Sequence, residues 1–426
     1  MSFNHRFKSS LALCTFKYPF IVATVSWFLL SFCFQWNFFG SYTDYTFFKI
    51  YFNFNLVTFL LAFLFLYLLN DLWNRKNWRP HNDTRLDLIV TYRNHLMGIA
   101  ILLVLLWHII CVHPIYSLNP LYLLNQIGYL GVDIFVFLSG FGLTCGYLNR
   151  ELNLKRYYYR RVLRIYVLYW FFLLICLIEN DFAFPFVNIA INVFNLQYWF
   201  YQLRPPKGYL NYGWFLSFLI VLYAIYPIYL KLFVKTEQKF LLTLGSSALI
   251  ITFHFCFLDT GWGISSFRIP SFLMGIYVGF LHLTKPDFNE MIIKREKSWH
   301  TISALLLILL ELIVILYRNL FWSYNLYLIT MCLTPFLIFS LVNILRRTSM
   351  NWLSFIGAMS LEIYLVHPYG FRIISFIINK IGLGKIDLPN TWLLNNFVAL
   401  VPYLFIVNTI FLSFLVNKLR KKYLPV

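Results

Sequence analysis

The chain of 426 residues carries a formal net charge of +19, yet only 12% of its residues are charged and 60% are hydrophobic. Its mean hydropathy is +0.69. A water-soluble domain of this size could not bury so much apolar surface, so the composition excludes a soluble class and predicts a polytopic membrane protein. Long continuous apolar runs, rather than alternating strands, predict an all-α bundle of membrane helices.

Twelve apolar runs predict membrane-spanning helices, the shortest of which approach the lower limit for crossing a ~30 Å hydrocarbon core. In chain order they lie at about 18–39, 54–70, 96–113, 127–147, 162–180, 212–233, 240–258, 265–283, 300–317, 322–345, 352–369 and 393–416. We divide the chain into residues 1–92, with a basic tail, two transmembrane helices and a cytoplasmic loop, and residues 93–426, a ten-helix membrane domain.

The basic residues predict the orientation of the bundle. If the N-terminus is cytoplasmic and the spans alternate, the inside segments hold 27 of the 35 Lys and Arg residues, as the positive-inside rule requires. Both termini are therefore predicted inside. The net positive charge is explained by basic residues that orient the helices and contact the anionic lipid bilayer. A nucleic-acid partner is not expected. Binding of an anionic ligand such as a nucleotide is the alternative role. The longest external segments are predicted at 181–211 and 370–392, where residues 370–374 would lie flat on the outer surface.

His108 ends a helix-length apolar run that begins at Leu96. An ionisable side chain this deep in a membrane helix is costly and is by default a functional hypothesis. A neutral imidazole is suited to removing a proton from a hydroxyl group. A hydrogen-bonded core histidine is the alternative interpretation.

The next helix carries the sequence Gly-Tyr-Leu-Gly-Val-Asp-Ile-Phe-Val-Phe-Leu-Ser-Gly-Phe at residues 128–141. Its Asp133 is predicted at a depth comparable with His108, where a carboxylate can orient an imidazole. Gly142 and Gly146 are four residues apart and predict close helix packing.

A cluster of arginines follows at a cytoplasmic helix entrance, within Tyr-Arg-Arg-Val-Leu-Arg-Ile-Tyr at residues 159–166. Arg160 and Arg164 are one turn apart and can present two guanidinium groups to one phosphate, with Arg161 beside them. Anchoring of the topology is the alternative role for each of them.

Three later segments contain polar residues inside apolar helices. Trp214 opens a helix that continues to Pro227, and Arg268 opens the sequence Arg-Ile-Pro-Ser-Phe-Leu-Met-Gly. Arg268 needs a partner at this depth, and Asp133 is a candidate. The sequence Ser-Leu-Glu-Ile-Tyr-Leu-Val-His at residues 360–367 is predicted to place His367 near the external face. Two acids, Glu311 and Glu362, are expected to be paired within the bundle.

Together these motifs resemble the acyltransferase-3 family of integral membrane acyltransferases, of the glycan O-acetyltransferase type, in order over residues 93–416. The resemblance implies an enzyme of the bacterial plasma membrane that moves an acyl group from cytoplasmic acyl-CoA, commonly acetyl-CoA, to a hydroxyl of an extracytoplasmic glycan or polysaccharide, without a metal. It implies roles for eight residues: catalysis by His108 and Asp133, donor binding by Arg160, Arg161 and Arg164, and substrate binding by Arg268, His367 and Trp214.

The chain departs from the family pattern at the start of the first core helix. Family members have an arginine eleven residues before the histidine, which a helix places within about 20° of the same face. Here that position is Met97, and the position of the usual upstream aspartate is Asn94. Arg93 is one turn before Met97, and its long side chain can reach the same region, so we predict that it also binds the donor. A topology anchor is the alternative.

Other functions remain compatible with the sequence alone. A transporter or flippase of glycan or lipid also needs many membrane helices, and so does a glycan polymerase. The missing arginine at Met97 also leaves open a degenerate member of the family without activity.

The orientation predicts the labelling of single cysteines by a membrane-impermeant thiol reagent. In intact cells a cysteine near residue 205 should react, and one near residue 155 should react only after the membrane is permeabilised. The reverse labelling would contradict the predicted orientation.

Overall fold

The computed structural model describes residues 87–112, 128–148, 152–179, 186–200, 213–257, 263–316, 326–348, 350–380 and 392–423. These residues form α-helices joined by short turns, and none of them lies in a β-strand, which confirms the all-α class. The two predicted spans at 18–39 and 54–70 lie outside the described residues.

The described helices are numbered here in chain order. They are α1 (Leu88–Thr91), α2 (Arg93–Val112), α3 (Leu130–Tyr147), α4 (Leu154–Glu179), α5 (Phe186–Val193), α6 (Gln197–Phe200), α7 (Trp214–Lys235), α8 (Lys239–Phe257), α9 (Gly263–Ser266), α10 (Ile269–Thr284), α11 (Phe288–Lys294), α12 (Glu296–Leu316), α13 (Leu326–Arg347), α14 (Asn351–Ala358), α15 (Ser360–Lys380) and α16 (Trp392–Tyr423).

Membrane character is concentrated in the helices that the apolar runs predict. Within the described part of the chain, α3, α7 and residues Leu154–Ile178 of α4 are long and apolar enough to cross a membrane. Shorter apolar stretches occur at Arg93–His108, Lys239–His254 and Ile269–Thr284. Large apolar side chains such as Ile228 are exposed on the outside of the bundle, as expected where lipid replaces water.

Glycines set the closest helix crossing, which joins α3 to α10. A Cβ atom on Gly140 would overlap the carbonyl oxygen of Phe272, and one on Gly275 would overlap the carbonyl oxygen of Phe137. Each helix therefore needs a glycine where the backbone of the other passes, which is the usual way for membrane helices to approach closely. A second crossing of this kind joins α2 to α14, where Gly98 lies against Leu353.

Among the described residues, Gly142 and Gly146 do not make the close helix contact that their spacing predicts. No described atom lies within 4 Å of a Cβ atom built on Gly146, and the neighbour of Gly142 is the Nε atom of Arg93, at 3.7 Å. Gly142 is eleven residues after Gly131, which packs against Ala100 of α2, so both face α2. At the level of Gly142 a side chain, rather than a helix backbone, fills the space between the helices.

The predicted span at 352–369 is also not one continuous helix. The chain turns at Met359, after α14, and then continues as α15 for 21 residues. The helix runs through residues 370–374 without a break. His367 lies seven residues into α15 and is buried within the bundle.

The crossing of α3 and α10 predicts a contrast between two glycines of one helix. Gly140→Leu should destabilise the protein by about 1–3 kcal/mol or more, because the new side chain meets a backbone carbonyl that cannot yield. Gly146→Leu is the matched control and should be tolerated. Thermal unfolding of the detergent-solubilised variants measures both effects, and equal stability of the two variants would contradict the packing described here.

Candidate active site

The predicted site residues form three groups, which are named here by their members. The histidine pair is His108 of α2 with His367 of α15. The buried ion pair is Asp133 of α3 with Arg268, which immediately precedes α10. The arginine cluster consists of Arg93, Arg161 and Arg164, at the other end of α2 from His108.

The two imidazoles of the histidine pair face each other inside the bundle. Their ring centroids are 4.6 Å apart and their planes are inclined by 52°. His367 is fully buried and His108 is partly buried. The sequence predicted His108 as a base and His367 as a separate substrate contact. The fold brings the two rings into contact.

Backbone carbonyl groups fix the tautomer of both rings. His108 Nδ1 lies 2.8 Å from the carbonyl oxygen of Val104, and His367 Nδ1 lies 2.5 Å from that of Tyr364. A carbonyl oxygen only accepts hydrogen bonds, so each Nδ1 carries the proton and donates it. In this tautomer the lone pair of each neutral ring is on Nε2, the nitrogen that can accept a proton.

The orientation of His367 follows from the residue after it. Pro368 has no backbone N–H, so the carbonyl of Tyr364, four residues earlier, loses its partner within the helix. An unsatisfied carbonyl is costly in an apolar environment. The imidazole of His367 supplies the missing donor, and the same bond holds the ring against the backbone.

The buried ion pair confirms Asp133 as the predicted partner of Arg268. Arg268 Nε is 3.7 Å from Asp133 Oδ2, and both side chains are almost fully buried. The hydroxyl of Ser271 donates to the other carboxylate oxygen over 3.2 Å. The guanidinium group also lies 5.1 Å from the ring centroid of Trp214, in cation–π contact. Carbonyl groups hold the two imidazoles, while the Asp133 carboxylate is engaged by Arg268.

Tyr364 connects the buried ion pair to the histidine pair. Its ring centroid is 5.6 Å from that of His367. Its hydroxyl is hydrogen-bonded to the backbone N–H of Phe215 and lies within electrostatic range of Arg268. Five helices (α2, α3, α7, α10 and α15) therefore supply one continuous group of polar side chains within an apolar core.

A short segment covers the Trp214 end of this group. Tyr169 donates to the carbonyl of Asn192 over 2.8 Å, and Ser217 donates to that of Asn195 over 2.5 Å. Tyr198 lies against Trp214, with ring centroids 6.1 Å apart, and donates to Ser265 Oγ. The segment of α5 and α6 is thus attached to α4 and α7.

The arginine cluster gathers positive charge where α2 begins. Arg93 is the first residue of α2 and lies within electrostatic range of both Arg164 and Arg161. Three like charges repel one another unless an anion accompanies them. This arrangement is suited to phosphate groups, which arginine binds through paired N–H donors.

Tyrosines form a wall beside the cluster. The guanidinium carbon of Arg161 lies 5.2 Å from the ring centroid of Tyr223 and 5.9 Å from that of Tyr157. Tyr157 donates to the carbonyl of Tyr223 over 2.9 Å. That carbonyl is four residues before Pro227 and lacks its helical donor for the same reason as the carbonyl of Tyr364. Arg160 is exposed, so Arg161 rather than Arg160 is the partner of the tyrosines.

Met97 and two membrane acids, Glu311 and Glu362, are the remaining residues for which the sequence made a prediction. Met97 is buried among apolar side chains and leaves the region of the family arginine without charge. Glu362 is paired as predicted, with Arg420 at 2.8 Å and Asn417 at 2.9 Å. The side chain of Glu311 lies outside the described residues. No cluster of three or more His, Cys, Asp or Glu side chains in the described ranges is placed to hold a metal.

The model of one protein family, an acyltransferase domain, matches residues 90–417. The chain belongs to the acyltransferase-3 family. No curated protein and no solved structure matches it.

Membership in the acyltransferase-3 family confirms the resemblance and makes the protein an acyltransferase of the membrane type. The matched region contains the histidine pair, the buried ion pair and the arginine cluster. Sequence reasoning missed the tyrosine wall and the contact between the two histidines. The signals for both were the prolines, since Pro227 and Pro368 each leave a carbonyl that needs an outside donor.

Proposed function

We propose that the protein is a plasma-membrane O-acyltransferase that moves an acyl group, acetyl by family analogy, from cytoplasmic acyl-CoA to a hydroxyl of an extracytoplasmic glycan. The observation that carries the proposal is the pair of oriented imidazoles inside the bundle, with the arginine cluster at the far end of the same helix. We further propose that ten core helices and two N-terminal helices cross the membrane, with both termini in the cytoplasm.

The donor is a long molecule with its phosphates at one end and its thioester at the other. Arg93 and His108 are fifteen residues apart on α2, which corresponds to about 22 Å along the helix axis. The arginine cluster binds the phosphates at the cytoplasmic side. The extended arm then reaches along α2 and presents the thioester to the histidine pair.

The chemical step is a transfer between a thiol and an alcohol. The acceptor hydroxyl attacks the thioester carbonyl while His108 Nε2 accepts the hydroxyl proton, so the ester C–O bond forms and the C–S bond breaks. The proton then returns from the imidazole to the leaving thiolate. In this proposal Trp214 and Arg268 contact the acceptor beside the histidine pair.

Transport without acyl transfer is disfavoured by the same features. A flippase would have no need for two buried imidazoles held in contact with their basic nitrogens on Nε2. An inactive, degenerate member is disfavoured because Arg93 places positive charge beside Arg161 and Arg164. Arg93 is one turn before position 97, where methionine replaces the family arginine. Movement of a glycan by the purified protein without consumption of acyl-CoA would favour the flippase.

Replacement of His108 tests the chemistry. His108→Asn keeps a short donor for the Val104 carbonyl but removes the basic nitrogen, so we expect acyl transfer to fall about 10²–10⁴-fold. The measurements are release of free thiol from acetyl-CoA by the protein in nanodiscs, and ester-linked acetyl groups on the cell-surface glycan. Expression and thermal stability should match the wild type. A wild-type level of acylated glycan in this variant would contradict the proposed mechanism.

Replacement of Arg93 tests the donor site. Arg93→Ala should weaken the use of acyl-CoA at least tenfold, about 1.4 kcal/mol, the low end for loss of a charged hydrogen bond. Arg93→Lys should be intermediate, because lysine keeps the charge but not the bidentate geometry. Met97→Arg in the Arg93→Ala background should restore part of the affinity, since the two positions share a helix face.

Lys155→Ala is the matched control for Arg93, because Lys155 is an exposed basic residue of α4 at the same predicted side of the membrane. Its KM for acyl-CoA should equal that of the wild type. If Arg93→Ala also keeps the wild-type KM, Arg93 is a topology anchor and the phosphates are bound by Arg161 and Arg164 without it.

A further inference from the structure

We propose that His367 is a second catalytic base, and that the two imidazoles of the histidine pair work as one proton-accepting unit. This inference rests on the proposed function and concerns the same site. It differs from the role implied by the sequence, in which His108 acts with the carboxylate of Asp133 and His367 only contacts the substrate.

The first observation is that the two imidazole rings make the same type of hydrogen bond. Each Nδ1–H donates to a carbonyl of its own helix, three or four residues earlier, and each neutral ring therefore carries its lone pair on Nε2. Two rings in the same basic tautomer, with centroids 4.6 Å apart, provide two proton acceptors in one site.

The second observation is that the carboxylate expected beside a catalytic imidazole is engaged elsewhere. Asp133 is held by Arg268 and Ser271, and the ring that faces His108 is that of His367. An imidazolium formed during the reaction must be stabilised inside an apolar bundle. A neighbouring neutral imidazole can do this by accepting a hydrogen bond or the proton itself, whereas two protonated rings would repel each other. The pair therefore holds one proton at a time.

The reaction then uses the pair as a proton store. The acceptor hydroxyl gives its proton to one Nε2 as the C–O bond forms, and the proton is shared between the rings while the C–S bond breaks. The pair finally returns the proton to the thiolate, so the pair ends neutral and the thiol leaves protonated. Neither an oxidant nor a further reactant is needed.

The surroundings of His367 are consistent with this role. Tyr364 packs against its ring, with centroids 5.6 Å apart, and lies within electrostatic range of Arg268. Thr409 and Phe405 of α16 lie close to Gly370, three residues further along α15. The charged groups of the buried ion pair are thus one side chain away from the imidazoles, while the contact itself is between neutral rings.

Two substitutions of His367 separate its proton chemistry from its packing. His367→Asn keeps an amide donor for the Tyr364 carbonyl but has no basic nitrogen. We expect the rate of thiol release from acetyl-CoA at saturating donor to fall at least 100-fold with an unchanged KM for the donor. In His367→Gly, added imidazole should restore part of the rate, because a free base can occupy the vacated space. Wild-type turnover in His367→Asn would overturn the inference.

Pro368→Ala provides a readout that a packing role would not give. The new N–H can pair with the Tyr364 carbonyl within the helix and release His367 Nδ1, so thermal stability should rise while turnover falls. If stability rises and turnover is unchanged, the orientation of His367 is irrelevant to the reaction and the inference fails. Pro368→Ala leaves His367 unchanged, so it tests the inference even if the substitutions of His367 prevent folding.

The outcomes distinguish this inference from the proposed function. Absence of thiol release by the wild-type protein with acetyl-CoA and longer acyl-CoAs would contradict the proposed function itself. An active wild type with an inactive His108→Asn and a fully active His367→Asn would contradict the second base alone. Loss of turnover in both asparagine variants, with rescue of the glycine variant by imidazole, supports the coupled pair.

Discussion

The candidate site depends on a carbonyl group that its own helix cannot pair. Pro368 removes the N–H that would reach Tyr364, and in a membrane there is no water to replace it. His367 satisfies that carbonyl, and in doing so its ring acquires one tautomer and one orientation. A requirement of backbone chemistry thus places a basic nitrogen beside His108. The same constraint operates at Pro227, where the hydroxyl of Tyr157 satisfies the carbonyl and the tyrosine wall forms next to Arg161.

The buried ion pair depends in turn on the glycine crossing of α3 and α10. Separating charges such as Asp133 and Arg268 from water costs several kcal/mol for each ion, and the cost is offset only when geometry and further hydrogen bonds are good. Gly140 and Gly275 let the two backbones come close enough for a short aspartate to meet an arginine of the neighbouring helix. Leaving either partner unpaired would cost about 3–5 kcal/mol, so this pair fixes the register of the two helices as well as their distance.

The sequence predicted those parts of the structure that follow from single helices or from the cost of burying charge. The apolar runs predicted α2, α3 and α7, and the depth of Arg268 predicted its pairing with Asp133. The spacing of small residues did not predict the packing where the neighbour is a side chain of another helix. Gly142 and Gly146 have a packing spacing, but at that level the Arg93 side chain replaces the second helix.

The break in the span before His367 was missed for a related reason. An apolar run of the right length suggested one span, although the chain turns at Met359 and begins a new helix there. Hydropathy cannot detect such a turn, because residues on both sides of it are buried. The ring contact between His108 and His367 joins residues that are 259 positions apart, and it results from the packing of α15 on α2 rather than from any local pattern.

The start of α2 is where the chain departs from the family pattern, with Met97 in place of the arginine and Arg93 one turn earlier. Met97 lies among apolar side chains, and Arg93 is one turn closer to the predicted cytoplasmic surface. Its side chain crosses the space beside Gly142 and meets the field of Arg161 and Arg164. If Arg93 binds the donor as proposed, the charge of the family arginine acts one turn earlier on α2, and the Arg93 side chain reaches Arg161 and Arg164 past Gly142 of α3.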